Sequence, residues 1–260
     1  MNRHLKFAAL LCVAVLAACG DDTTREITGP VPGAQIKFFN FGVNAPGVNF
    51  YAGTQKMTAI GSATGAESTI GTVYGSAGAG GVYTAIAPGQ YALSGKIAAA
   101  TDKDLAISTV SMTLENGKKY SFYQSGFYNT TTKTVDAFVV EDPLPQPIDY
   151  SVATVRFVNA ISNANPMTLY AVDTTRTDIL KGVEVPVGVV SYKSAGAFTT
   201  LPPGIYNLSG RYAGSSTNAV ARGGVGFAAG FTYTVSARGD ITITSTTATN
   251  RPFLDNTINR

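Results

Sequence analysis

The sequence predicts an all-β chain carrying two tandem antiparallel β-sandwiches, and three observations lead there. Charged residues make up only 13% of the 260, while Gly (28), Tyr (13) and Phe (13) are abundant, a balance that favours pleated, half-buried strands separated by turns. Within candidate strands the apolar period is two: Tyr120 and Phe122 share one face, as do Tyr233 and Val235. The chain also repeats itself in order, and its length suits two ordinary cores.

Residues 1–18 come first and read as an address. A basic head with Arg3 and Lys6 precedes an apolar run from Phe7 to Ala17, too short to span a bilayer as a helix. Leu16-Ala17-Ala18-Cys19 resembles the bacterial lipoprotein processing site, which implies cleavage before Cys19 and lipid on that thiol. Residues 19–33 then read as a lipidated Cys followed by a flexible tether, polar and punctuated by Pro and Gly, with a reach of roughly 20 Å. Gly20 beside the Cys favours the outer membrane of the cell envelope as the destination.

The first repeat is expected over 34–142 and the second over 151–250. Ile36-Lys37-Phe38-Phe39-Asn40 returns as Val155-Arg156-Phe157-Val158-Asn159, and Asn49-Phe50-Tyr51-Ala52 as Thr168-Leu169-Tyr170-Ala171. Pro88-Gly89-Gln90-Tyr91 answers to Pro203-Gly204-Ile205-Tyr206, and Lys119-Tyr120-Ser121-Phe122 to Thr232-Tyr233-Thr234-Val235. Seven or eight strands per copy are expected, with Asn116-Gly117 folding a strand over 105–114 back onto one over 119–125. In Pro-Gly-x-Tyr, Pro sets φ, Gly turns the chain and Tyr bonds back to upstream backbone. That is the tyrosine corner of immunoglobulin-like sandwiches, and an immunoglobulin-like or transthyretin-like topology is the expectation. Between the copies, 143–150 is a Pro-rich linker, extended and stiff. Residues 251–260 are assigned to a C-terminal tail.

The Val155-to-Ala160 opening, the Leu169-Tyr170 strand, the Pro203-Gly204-x-Tyr206 corner and the closing Tyr233-Thr234-Val235 strand resemble the bacterial family termed domain of unknown function 4397. That resemblance implies a β-sandwich in the cell envelope and brings no catalytic residues with it.

Composition narrows the chemistry. Processing before Cys19 would remove His4 and Cys12, leaving one Cys, no His and no Trp, with 17 basic against 16 acidic residues, a charge of +1. Ser-His-Asp and Cys-His catalysis, His-based zinc sites and intrachain disulfides are thereby excluded, and no nucleic-acid partner is expected. No metal or cofactor site is expected. A carboxylate-based glycan hydrolase would survive, since it needs only two acids about 5–9 Å apart. The candidates are Asp102 with Asp104, Glu141 with Asp142, and Asp173 with Asp178. Turns explain the first and last of these, the first with weak calcium binding as its functional remainder. Glu141 and Asp142 are read as solvated. Arg238-Gly239-Asp240 spells an adhesion tripeptide, but it aligns with Ser125-Gly126-Phe127 and so marks a shared turn. Gly75–Gly81 precedes a strand, which makes it a loop and not a phosphate cradle.

Aromatics such as Phe39 and Tyr123 fall on the strand face opposite the core, where they would either meet a sugar or a partner, or cover the join between copies. The expected function is a lipid-anchored, non-catalytic structural or binding module. The alternatives are the glycan hydrolase and a glycan or surface-polymer attachment protein. Partners are the membrane, through the lipid, and an envelope glycan or protein.

Overall fold

The structure, a computed structural model, describes residues 32–58 and 68–260. The expected signal segment, Cys19 and nearly all of the expected tether lie outside the described residues. Gly33–Arg260 forms one compact unit holding both repeats.

Strands follow one another as β1 (Ala34–Asn40), β2 (Val48–Ala52), β3 (Gln55–Lys56), β4 (Ser76–Ala77), β5 (Thr84–Ile86), β6 (Gly89–Ile97), β7 (Ala106–Leu114), β8 (Lys119–Asn129) and β9 (Thr134–Glu141). The second copy continues as β10 (Ala153–Asn159), β11 (Met167–Asp173), β12 (Glu184–Val190), β13 (Ser194–Ala195), β14 (Thr199–Leu201), β15 (Gly204–Tyr212), β16 (Val220–Phe227), β17 (Thr232–Arg238) and β18 (Phe253–Ile258). The first copy pairs its strands as β4-β1-β8-β9, with β5 also on β1, and as β3-β2-β6-β7; the second repeats both orders as β13-β10-β17-β18, with β14 on β10, and β12-β11-β15-β16. The chain is therefore all-β, made of two similarly built sheet pairs.

Three expectations change. The sheets are not purely antiparallel, because β1 runs parallel to β8 and β10 parallel to β17. The Asn116-Gly117 turn, with Gly117 at φ +76°, does not close a hairpin. It is an arch from β7 in one sheet to β8 in the other, because β8 finds its partners in β1 and β9. Residues 253–258 are no tail: β18 pairs antiparallel with β17 from Tyr233↔Ile258 to Arg238↔Phe253, in the place β9 takes in the first copy.

Each sheet pair encloses a core. In the first copy Ile36, Phe38 and Phe122 meet Val48, Phe50 and Leu93, with the Phe38 and Phe50 rings stacked 5.1 Å apart. Such pairs contribute about 0.5–1.5 kcal/mol beyond the area they bury. In the second, Val155, Phe157 and Val235 face Leu169 and Leu208. Both corner tyrosines bond as expected, Tyr91 Oη donating to the Ala87 carbonyl at 3.0 Å and Tyr206 Oη to the Pro202 carbonyl at 2.7 Å.

A third apolar cluster explains why β1 and β8 carry aromatics on both faces. Phe39, Phe41, Tyr123, Phe138 and Val140 of the first copy pack against Val158 and Ala160 of the second. The five-stranded sheets thus lie face to face, each buried on both sides; β8 meets this with aromatics on both faces, and β17 with the small hydroxyl side chains Thr232, Thr234 and Ser236 toward the join.

Candidate functional site

Strand register makes Lys37 the equivalent of Arg156, and Asp142 the equivalent of Asn259. Both cations are buried in the join between the copies, each about 1% exposed. Arg156 reaches out of the second copy to the Glu141 carbonyl at 2.9 Å and to the Asp142 carboxylate. Lys37 reaches out of the first to the Ile258 carbonyl at 2.7 Å and to Asn259 Oδ1 at 3.1 Å. The exchange is reciprocal, as a two-fold relation between the repeats demands. It extends outward: Ser121 Oγ donates to Asp142 at 2.7 Å, and Asn259 Nδ2 to the equivalent Thr234 Oγ1 at 2.7 Å. Lys37 lies over the Tyr83 ring and Arg156 over Phe198, at 4.2 and 4.9 Å from the centroids. Near the axis Tyr123 and its equivalent Ser236 meet hydroxyl to hydroxyl at 3.3 Å.

Burial is the largest cause of the shifts at Lys37, Tyr83 and Tyr123. It lowers Lys37 to about 8; Asp142 opposes the shift, while Arg156 and Lys119 add to it. Burial likewise raises the Tyr123 phenol to about 12. It pushes Tyr83 up further still, together with the Asp142 carboxylate that accepts the Tyr83 hydroxyl at 2.6 Å. Asp142, expected to be solvated, is the enclosed anion of the interface, because its two hydroxyl donors and a guanidinium replace water.

The two sides of the axis are not alike. On one, Phe138 stacks on Tyr123 at 5.0 Å and meets Tyr192 edge-on at 6.1 Å, and Lys193 pairs with Asp136 at 2.7 Å. On the other, Phe138 and Val140 are replaced by Asp255 and Thr257, and Lys193 by Gly75. A cleft of about 620 Å³ opens there, lined by Lys37, Tyr83, Asn256, Asn259, Arg260 and the glycines 80 and 81 among others. A difference of three residues contributes to it. Eight residues separate Ala77 from Ile86, whereas five separate the equivalent Ala195 and Leu201. The extra length forms a 3-10 turn, Gly78–Gly81, in which Gly80 and Gly81 sit at φ +69° and +79°. Glycine is suited there because L side chains are strained at positive φ. The segment read as a plain loop thus contains the two-residue strand β4 and, through Gly75, Ala77, Gly80 and Gly81, forms part of the cleft wall.

The remaining candidates are tied down locally. Asp102 and Asp104 sit at φ +59° and +64° in the turn before β7, and Asp102 pairs with Lys133 at 2.6 Å. Asp173 caps Thr175, and Asp178 pairs with Arg176 at 2.7 Å. Glu141 turns outward to Lys118 at 3.2 Å while Asp142 turns inward to Arg156. Arg238 does not present its tripeptide: it is held by Asp255 at 2.5 Å and faces Tyr74, 5.0 Å from the ring centroid. Among the described residues no cluster of three His, Cys, Asp or Glu side chains could hold a metal ion. No described helix is long and apolar enough to cross a membrane, which leaves membrane-spanning strands untouched. The cleft escaped sequence reasoning. Its trace in the sequence was the longer Gly-rich spacing in one repeat only.

Comparison with known proteins gives one family. The profile of the domain of unknown function DUF4397 matches residues 34–170, the whole first copy together with β10 and the first part of β11 of the second. No curated protein matches. Among solved structures, a leucine-rich repeat protein from Bacteroides thetaiotaomicron aligns at 9% identity over 80% of this chain and 26% of that one, with a TM-score of 0.21. The chain therefore spans about a quarter of that protein's length, and a likeness so slight carries no argument.

Proposed function

Since the chain belongs to the DUF4397 family, we propose that it is a lipid-anchored protein of the cell envelope whose two immunoglobulin-like or transthyretin-like sandwiches act as one non-catalytic binding body. The observation that carries the binding role is the one-sided cleft at the join. Elsewhere the copies reproduce each other's contacts across the axis, and there the second copy gives up apolar packing for open, polar space. Stability alone offers no reason for such a loss, since filling a gap is normally favourable. The candidate acids Asp102, Asp142, Asp173 and Asp178 are each engaged by a neighbour, which supports a non-catalytic role over a glycan hydrolase.

Location rests on the Leu16-Ala17-Ala18-Cys19 motif, with Gly20 favouring the outer membrane. The test is mass spectrometry of protein extracted from membranes, comparing wild type with Cys19→Ala. An N-terminal Cys19 carrying acyl chains in wild type, and an unprocessed or soluble variant, are expected. An unmodified N-terminus in the soluble fraction of wild type would overturn the anchor.

A further inference from the structure

The cleft at the join collects polar groups that the protein itself leaves without partners. Among the described residues, three buried side-chain atoms here make no hydrogen bond: Asn256 Oδ1, and Nε and Nη1 of Arg260. Both residues line the cleft. Buried polar groups are normally paired, because leaving one unmatched costs about 1–3 kcal/mol. Finding such atoms gathered at one opening is what a site for a polar ligand requires.

Charge states which ligand. Arg260 gives one donor, Nη2, to the Pro145 carbonyl at 2.7 Å. Lys37 gives its protons to the neutral Ile258 carbonyl and Asn259 amide oxygen. Neither cation has an ion-pair partner among the described residues, because Asp142 is taken by Arg156 and the lining carboxylate of Asp255 by Arg238. Two positive groups that make no direct ion pair favour a negatively charged guest. Asn256 Oδ1 is an acceptor and asks for a donor on the same guest, so a bare anion would leave it unmatched. The volume, about 620 Å³, is that of a small-molecule site.

Resting on the binding role proposed above, we infer that the cleft binds an acidic saccharide, its carboxylate directed to Arg260 and a ring hydroxyl donating to Asn256 Oδ1, while Lys37, enclosed behind the cleft wall, adds positive charge. An oligouronate combines the anion and the hydroxyls, and the cleft walls of Gly80 and Gly81 let a ring approach the backbone closely.

The test is titration of the mature chain with a uronic-acid tetrasaccharide, a neutral tetrasaccharide of the same linkage, and inorganic phosphate, read by calorimetry and by amide shifts in NMR. The acidic sugar is expected to bind, to shift Gly80, Gly81 and Asn256, and to weaken with added salt. It should weaken by about tenfold or more in Arg260→Gln, and also in Asn256→Ala, with both variants retaining the wild-type circular dichroism. No binding of the acidic sugar, or binding indifferent to both substitutions, overturns the inference. If the neutral sugar or phosphate binds equally well and shifts the same amides, the acidic-saccharide class falls while the cleft stands as a binding site. If none of the three perturbs the cleft, and envelope extract leaves those amides unshifted too, the binding role falls with it.

Discussion

Replacing Asp142 by alanine tests the join between the copies most directly. Its side chain is fully enclosed, as is that of Arg156, at 0% and 1% exposure. The carboxylate accepts from Arg156, from Tyr83 Oη at 2.6 Å and from Ser121 Oγ at 2.7 Å. Alanine leaves the guanidinium with only the Glu141 carbonyl and Thr234 Oγ1, and breaking a buried pair in this way costs about 3–5 kcal/mol. Against a total stability of about 5–15 kcal/mol, that is a large fraction. Asp142→Asn keeps the shape and copies the Asn259 arrangement, so its cost should be smaller, about 2 kcal/mol. The double variant Asp142→Ala, Arg156→Leu should recover much of the loss, because no uncompensated charge remains. Urea unfolding followed by circular dichroism gives all three values. A loss below about 1 kcal/mol for Asp142→Ala would refute the reasoning, since it would mean that water reaches Arg156 and that the interface is not dry.

Other outcomes follow from the same structure. Stability should rise between pH 8 and about 10, because Lys37 sits at about 8 in the fold against 10.5 ordinarily, so the unfolded chain holds the extra proton across that window; the span is worth about 3 kcal/mol. Above pH 10 it should fall again, since unfolded tyrosines ionise while Tyr123 is held near 12; urea midpoints across pH 7–11 read both limbs, and Lys37→Met should remove most of the rise, leaving the smaller part from Lys119, which burial also lowers. Tyr206→Phe, at a buried corner, should lose about 1–2 kcal/mol, and Tyr91→Phe, whose bond is exposed, under half of that, by thermal melts. Gly95→Ala should cost about 1–3 kcal/mol in urea, because its Cβ would meet Gln124 Oε1 at 2.4 Å and Ser108 Oγ at 2.8 Å. Finally, both copies should unfold in one transition by calorimetry; two separate transitions would contradict a shared core at Phe39, Tyr123 and Val158.

The repeat was legible because strand pairs need the same apolar spacing twice, so Phe38 and Phe157 declare themselves. The corner was legible because Pro, Gly and Tyr each have a local reason to be there. Long-range pairing was not. Nothing local to Asn116-Gly117 distinguishes an arch from a hairpin, since the same turn serves both and β1 decides. Residues 253–258 looked like a tail because Asp255, Asn256 and Thr257 break the apolar alternation that marks β9. Those polar side chains are the ones that open the cleft. Asp142 looked solvated because its partner Arg156 lies 14 residues away across a proline-rich turn, and sequence alone does not say which charges meet.

The two-fold join has a consequence for how this protein can change. When identical chains dimerise, any substitution appears on both sides of the axis, and the contact weakens on dilution. Here the 11 residues 142–152 connect β9 to β10, which holds the halves at an effective concentration on the order of millimolar. Each half is also free to mutate by itself. One side could therefore lose a phenylalanine and gain a glycine turn while the other kept the assembly shut. Duplication within one chain turned a symmetric seam into a lopsided one, and the lopsidedness is what leaves a cleft on one side of it.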